Sequence, residues 1–312
     1  MENRIVVTGG SGFIGRNFLA YMLKRHPDYE FVNYSLKDIN DFSFKNYKFI
    51  KGDICDFEHI CNILKDIDCV FHLAGESNVE RFAKDPLKSA KSNVLGTNNI
   101  LESAKLNNVK KIVFTSTSAV YGDSMEKEFK ESDWLKPENP YAGSKAAAEM
   151  IALSYYRAYG LPIIIVRPCN VFGPYQDLDR IIPRFITNLI KSKKIPLHSE
   201  GKTSRTYIYI NDFCSALDFL FQKGVVGEIY NIGTKDEIQN INLAKKILKE
   251  FGKDESFIEF VPDRETNAKR SVIDFSKIRA IGWNPKIGFL EGLDKTIRWY
   301  KGNEYWWSER TP

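Results

Sequence analysis

Long apolar runs are missing from this sequence. No stretch approaches the roughly 18 uninterrupted apolar residues of a membrane-spanning helix, so no membrane partner is expected. A dominant charge is missing too. The 45 Lys and Arg residues against 40 Asp and Glu leave a formal charge of only +5. The basic residues are scattered rather than gathered in a stripe, so no nucleic-acid partner is expected either. Cysteines are few and unpaired. Cys55, Cys61, Cys69, Cys169 and Cys214 make an odd number and form no CxxC pair. That argues against a disulfide or zinc framework, so no metal is expected, and it fits reduced thiols in a cytoplasmic protein. The sequence opens directly on a strand pattern with no signal-peptide core, and it has no internal repeat or low-complexity linker. What remains is an ordinary globular composition, 43% hydrophobic and 27% charged over 312 residues. That length suits one large domain or two modest ones.

Through the first half, short apolar runs alternate with helical patterns. Strands are expected at 5–7, 31–34, 47–50, 69–73, 111–114 and 161–166. Helices are expected at 14–24, 60–64, 86–107 and 140–159. Continuous apolar strands joined by helices point to a parallel sheet covered on both faces, and right-handed crossovers make it a doubly wound α/β sheet. Beyond Arg167 the segments shorten and become richer in Pro and aromatics, with helices expected at 181–191, 212–222, 242–251 and 289–300. We therefore expect a Rossmann-type domain at 1–167, joined by a returning segment at about 205–232. A smaller mixed α/β lobe is expected from 168–204 and 233–312.

The first strand leads into "TGGSGFIG", where Gly9, Gly12 and Gly15 have the GxxGxxG spacing. The first glycine allows a tight turn, the second a close approach of backbone to a pyrophosphate, and the third close packing of helix on strand. The helix N-terminus then faces the phosphates. The bland alternative is a glycine turn without a ligand. Its place between the first strand and the first helix favours a dinucleotide site, with Phe13 and Ile14 beside it. The second strand ends in "YSLKD": Ser35 stands where a carboxylate is expected to select NAD over NADP, with Lys37 nearby. Asp53 and Ile54 end the third strand. Asp53 is placed to reach an adenine amino group or to cap a helix.

Two further features carry chemistry. The strand at 111–114 runs into the hydroxyl triplet Ser116, Thr117 and Ser118 of "STSAVYGD". Tyr141 and Lys145, four residues apart at a helix start, share one face. A phenol beside an ammonium group is expected to have a lowered pKa, which makes a base for a sugar hydroxyl. A chance pair on an exposed helix start is the alternative.

Together these stretches resemble the extended short-chain dehydrogenase/reductases, specifically their nucleotide-sugar branch. The resemblance covers nearly the whole chain, through "VTGGSGFIG", "GDICD", "HLAGES", "NVLGTNNIL", "STSAVYGD", "NPYAGSK", "RPCNVFGPYQ" and "YIYINDF". It mixes dTDP-glucose 4,6-dehydratases with UDP-glucose 4-epimerases, and "FGPYQ", "IIPRFITNLI" and "TIRWYKGNEYWW" look like the dehydratases. It implies an NAD cofactor, with NADP left open, a nucleotide-diphosphate sugar as substrate, and a homodimer built on the helices near 86–107 and 140–159. Residue by residue, it implies that Thr117 bonds the sugar C4 hydroxyl beside the base Tyr141. Lys145 orients that base and holds the nicotinamide ribose. Asn93 lies near the cofactor and the lysine. Leu73, Ala74 and Gly75 wall the pyrophosphate and ribose, Pro168 stands beside the nicotinamide, and Ser116 joins the cofactor set. Asn170 contacts the substrate phosphates, and Arg205 and Arg264 clamp them, a task suited to bidentate guanidinium groups. Surface salt bridging is the alternative for the two arginines. Glu76 and Ser118 complete the substrate set, although a cap or structural hydrogen bond would also explain Glu76.

One departure shapes the expected activity. The dehydratases of this resemblance carry an Asp and a Glu directly after the threonine. The Asp protonates the leaving C6 hydroxyl, and the Glu removes the C5 proton. Here those places hold Ser118 and Ala119. Alanine cannot titrate, and serine is a poor acid at neutral pH. The reading is therefore an NAD-dependent 4-epimerase of a nucleotide-diphosphate hexose. The alternatives are a 4,6-dehydratase or variant elimination, an NADPH-dependent 4-ketosugar reductase, and a cofactor-sensing binding module.

Overall fold

A computed structural model describes residues 4–39, 42–263 and 269–310. Its centre is a seven-stranded sheet, every strand parallel to its neighbours. Across the sheet the order is Ile229–Ile232, Ile163–Pro168, Lys111–Thr115, Cys69–His72, Arg4–Thr8, Glu30–Ser35 and Tyr47–Lys51. The chain first steps outward from Arg4–Thr8 to one edge, then returns to Cys69–His72 and steps outward to the other. The direction therefore reverses between Arg4–Thr8 and Cys69–His72, where open α/β sheets leave a crevice at the carboxyl ends of their strands. Thr8 and His72 face each other across that boundary.

Both faces of the sheet are buried, and successive residues serve opposite cores. Ile5, Val7, Phe71, Val113, Ile164 and Val166 pack with Phe18, Leu19, Met22 and Leu217 on one side. Val6, Val70, Ile112, Ile163 and Ile165 pack with Leu101, Ala104, Ala148 and Ala152 on the other. Two-sided burial explains why these strands read as unbroken apolar runs rather than alternating ones.

The expected elements form, with one notable difference. The helix anticipated over 86–107 is an α-helix at Pro86–Ala90, a π-helical turn at Lys91–Gly96 and an α-helix at Thr97–Leu106. A π turn adds one residue to the local period and occurs often at functional sites. A 3.6-residue pattern cannot reveal that one-residue slip. By contrast, Pro140–Tyr159 forms as read. Asn139 Oδ1 accepts from Ala142 N at 2.9 Å, Pro140 opens the first turn, and Gly160 closes the helix with φ 66°.

After residue 168 the chain builds smaller sheets. Ser204–Tyr209 pairs with Asn170–Phe172, Glu237–Gln239 and Arg270–Ser271, and Ile195–Leu197 pairs with Ile258–Phe260. Helix Ile210–Lys223 then packs on helix Phe13–Arg25, and Ile229–Ile232 joins the edge of the large sheet. No helix among the described residues is long and apolar enough to cross a membrane.

Candidate active site

A cleft of about 980 Å³ opens along the carboxyl ends of the central strands. Its floor is the glycine turn. Gly9 has φ +70°, and a Cβ there would lie 2.7 Å from Ala74 Cα, while a Cβ on Gly15 would lie 2.2 Å from Gly9 O. Backbone therefore approaches backbone where any side chain would intrude. Gly12 starts helix Phe13–Arg25 with no side-chain cap and no acidic residue in the first turn. An uncapped N-terminus offers its N–H groups and positive dipole end to an anion. Thr115 Oγ1 and Ser116 Oγ are buried at the end of strand Lys111–Thr115 without hydrogen-bond partners. An open N-terminus and two orphaned hydroxyls suit the phosphates and ribose of a dinucleotide.

Phe13, Ile14, Leu73, Ala74, Gly75, Ser116, Thr117, Tyr141, Lys145 and Pro168 line this same cleft with the three glycines. Four of the sequence candidates for the cofactor do not. Ser35 is buried in the frame of the turn, donating to Asn33 Oδ1 at 2.7 Å and accepting from Ser11 N at 3.1 Å. Its hydroxyl braces the loop, so its identity says little about a 2′-phosphate. Asp53 is exposed and accepts from Cys55 N at 2.9 Å, while the cap of helix Phe57–Ile63 is Asp56. Ile54 is buried, filling the space at Gly96 in the π turn. Asn93 is buried one layer behind the cleft. It donates to Glu76 O and Ser144 Oγ and accepts from Glu76 N, all within 3.0 Å.

Tyr141 and Thr117 share a side-chain hydrogen bond. Thr117 also opens the 3-10 turn Ser118–Tyr121 by accepting from Ala119 N at 3.2 Å. This turn rests on a buried polar network. Arg167 is held by Glu149 at 2.6 Å and donates to the Tyr121 hydroxyl at 2.7 Å, which donates on to Asn231 Oδ1. The network joins the Thr117 turn to the helix carrying Tyr141 and Lys145.

The phenol differs from the sequence expectation. Burial raises the Tyr141 pKa above 10.0. The Thr117 hydrogen bond and the Arg180 cation oppose that rise, and the Glu76 carboxylate adds to it. Lys145 is not the group that tunes the phenol here. Its Nζ donates to Thr115 O at 2.8 Å and stands over the Phe114 ring at 4.6 Å. Burial lowers its own pKa to about 8, against the pull of Glu149.

On the substrate side, Glu76, Ser118, Asn170 and Arg205 line the cleft. Glu76 Oε1 accepts from Asn78 N at 2.8 Å and lies 3.3 Å from Arg81 Nε, so a capping role is present. Asn170 Nδ2 donates to Thr206 O at 3.3 Å, and Arg205 Nη1 to Ser204 O at 2.7 Å. Arg264 lies outside the described residues. Sequence reasoning missed the segment before helix Ile181–Ile190. Gln176, Asp177, Asp179 and Arg180 all line the cleft. Arg180 Nη2 donates to Ser77 O at 2.7 Å, and Arg81 Nη2 to Asp177 Oδ2 at 2.8 Å. The clue was present in "GPYQDLDRIIPRF", where a charged loop meets a strongly apolar helix.

The reversing parallel sheet, the glycine turn and the Tyr–Lys helix define an extended short-chain dehydrogenase/reductase. The model of the GDP-mannose 4,6 dehydratase family matches residues 6–296, and the chain belongs to that family of nucleotide-sugar enzymes. Human dTDP-D-glucose 4,6-dehydratase is 39% identical over 321 residues, covering 97% of this chain and 91% of the relative. The crystal structure of dTDP-glucose 4,6-dehydratase from Bacillus anthracis, in complex with NAD, superposes with a TM-score of 0.92 at 36% identity. It covers 98% of this chain and 99% of that one. UDP-glucose 4-epimerase from Thermotoga maritima superposes with a TM-score of 0.90 at 28% identity, covering 96% and 99%.

Proposed function

We propose that this chain is an NAD-dependent enzyme that oxidises C4 of a nucleotide-diphosphate hexose and returns the hydride to the opposite face, a 4-epimerase. Bound NAD supplies the acceptor for the C4 hydride and a positive charge in the pocket. The glycine turn and the open N-terminus of helix Phe13–Arg25 hold its phosphates, Lys145 and Ser116 its ribose, and Pro168 the nicotinamide side. Tyr141 Oη takes the C4 hydroxyl proton, with Thr117 Oγ1 orienting that hydroxyl. Because burial disfavours the phenolate, Arg180 and Thr117 act on its side of the balance. Tyr141 gives the proton back when the 4-keto sugar, turned over in the cleft, regains its hydride. Arg205, Asn170 and Arg264 hold the diphosphate.

The observation that carries the epimerase reading is the turn Ser118–Tyr121. Directly beside Thr117, the two cleft-lining positions that would supply an acid and a base for elimination are Ser118 and Ala119. Glu76 is engaged by Asn78 N and Arg81. A second reading, 4,6-dehydration, has the stronger support from kinship: the relative at 39% identity is a dehydratase, and the epimerase structure stands at 28%. Both readings share the C4 oxidation and part at the next step.

The test is incubation of the chain with NAD and UDP- or dTDP-glucose, with the products read by NMR. A galacto-configured product with no net redox supports the proposal. A 4-keto-6-deoxy sugar sinks it in favour of dehydration, NAD binding without turnover favours a sensor, and in a parallel incubation with NADPH and a 4-keto nucleotide sugar stoichiometric NADPH use favours the reductase.

We further propose that residues 168–204 and 233–312 form the substrate lobe, with the cofactor domain at 1–167 and its returning segment at about 205–232. A homodimer through the helices around 86–107 and 140–159 is supported by exposed Leu87, Leu95 and Met150 there. Light scattering tests it, and a monomeric mass counts against it.

A further inference from the structure

His72 ends the strand at the reversal of the sheet and is buried, 1% exposed, with both ring nitrogens in use. Nδ1 lies 2.7 Å from Thr8 Oγ1, and Nε2 lies 3.0 Å from Thr97 Oγ1. Two neighbouring contacts fix where each proton sits. Thr97 Oγ1 is 2.7 Å from the carbonyl oxygen of Asn93, which can only accept, so the single hydroxyl proton of Thr97 goes there. Thr97 Oγ1 must then accept from His72, which puts a proton on Nε2. The backbone N–H of Ala74 donates to Thr8 Oγ1 at 3.3 Å, leaving the Thr8 proton for Nδ1. A neutral ring with its proton on Nε2 satisfies every link.

We propose that His72 is a positioning residue whose Nε2-protonated, neutral ring ties the wall of the cofactor cleft to the π turn that carries Asn93. One end of this chain of bonds holds Ala74, directly over Gly9. The other end holds the carbonyl of Asn93, whose side chain clamps both backbone groups of Glu76 and the hydroxyl of Ser144. Ser144 in turn donates to Tyr141 O at 2.7 Å. The ring thus links the floor beneath the dinucleotide to the first turn of the helix bearing Tyr141. A change of tautomer would set lone pair against lone pair at Thr97. Burial and the nearby Lys145 cation hold the imidazole pKa down to about 3, which agrees with the neutral ring that the hydrogen-bond directions require.

This inference rests on the proposed cofactor role of the cleft, and its tests separate from that reading. The full chain, labelled at its four histidines, is examined by nitrogen-15 NMR at neutral pH, with His72→Gln used to assign the His72 signals. A neutral Nε2-protonated pattern is expected. A neutral Nδ1-protonated ring or an imidazolium overturns the proposal, whether or not any sugar turns over. The second test is NAD affinity by calorimetry. His72→Phe keeps the ring stacked near Phe114 but removes both polar atoms, so its dissociation constant should rise about tenfold. His72→Gln can donate on one side and accept on the other, and should recover most of the loss. Equal affinities for the two variants, or no change in His72→Phe, overturn the positioning role. A purely structural histidine would lower the melting temperature of both without separating them in affinity. If His72→Phe fails to fold, the NMR result on the unsubstituted chain decides.

Discussion

The two walls of the cleft are held by different means. The cofactor wall is backbone: Gly9 against Ala74, Gly15 against Gly9 O, and neutral hydrogen bonds running behind them through Thr8, His72, Thr97 and Asn93. The substrate wall is charged side chains crossing between loops, Arg81 to Asp177 and Glu76, and Arg180 to Ser77. A backbone wall tolerates almost no substitution, because an added Cβ has nowhere to go. A charged side-chain wall can change without disturbing the fold, since exposed ion pairs contribute at most about 1 kcal/mol each. The first wall can therefore stay fixed while the second can vary, and in the proposed reaction the turn at Ser118 and Ala119 lies on that variable side.

The contrast is open to direct attack, and the largest effect is expected at its chemical centre. Tyr141→Phe removes the proton acceptor and should cut turnover by about 10²–10⁴-fold. It should leave NAD affinity within a few-fold, as measured by calorimetry. Unchanged turnover would remove Tyr141 from the mechanism. Next comes the backbone wall itself. Gly15→Ala places a Cβ 2.2 Å from Gly9 O, so NAD binding should fall by about 100-fold or more, in line with a cost of several kcal/mol for a forced shift. A Gly15→Ala protein that is folded by circular dichroism and binds NAD normally would contradict the close-approach account.

Lys145→Met tests function against stability. The amine titrates near 8 in the folded chain against 10.5 when free. A basic group with a depressed folded pKa costs stability in full below the folded value, and the cost fades as pH rises from 8 toward 10.5. At pH 7 the variant without NAD should therefore be no less stable than the parent, and more stable by about 1 kcal/mol once the lost bond to Thr115 O is discounted. Turnover should be largely lost. A variant clearly less stable at pH 7 would show that the ammonium contributes to the fold. The smallest effect belongs to the charged wall. Arg180→Gln removes a cation that favours the Tyr141 phenolate, so the limb of the pH–rate profile that rises as Tyr141 loses its proton should move to higher pH. A shift to lower pH would contradict that assignment.

The same contrast divides the features legible in the sequence from those that are not. The sheet, the glycine turn and the Tyr141–Lys145 helix are readable because periodicity, glycine spacing and caps are local signals. The π turn at Lys91–Gly96 is not, since one extra residue in a helical pattern leaves no compositional trace. The environment of Tyr141 escapes a sequence reading for a related reason. Spacing places Lys145 on its face, but one N–H of the ammonium goes to Thr115 O, and burial raises the phenol pKa. Ser35 and Asp53 suggest ligand contacts by their places at strand ends; the fold adds that Ser35 Oγ accepts from Ser11 N of the glycine turn and Asp53 Oδ1 from Cys55 N, which the sequence does not reveal. The Arg180 loop carries no motif by itself. It becomes part of the site only because the fold brings it against Ser77, 103 residues away in the chain.

The central claim is that the chain oxidises C4 and eliminates nothing, because Ser118 and Ala119 stand where an acid and a base are needed. The most direct measurement runs the reaction with NAD in deuterated water over UDP- and dTDP-hexoses and reads the recovered sugar by NMR and mass spectrometry. A C4 hydride that leaves and returns within one cleft leaves every carbon-bound hydrogen in place, so the account predicts an epimer of unchanged mass with no deuterium on carbon. A product that has lost one water and carries solvent deuterium on its sugar carbons would contradict it.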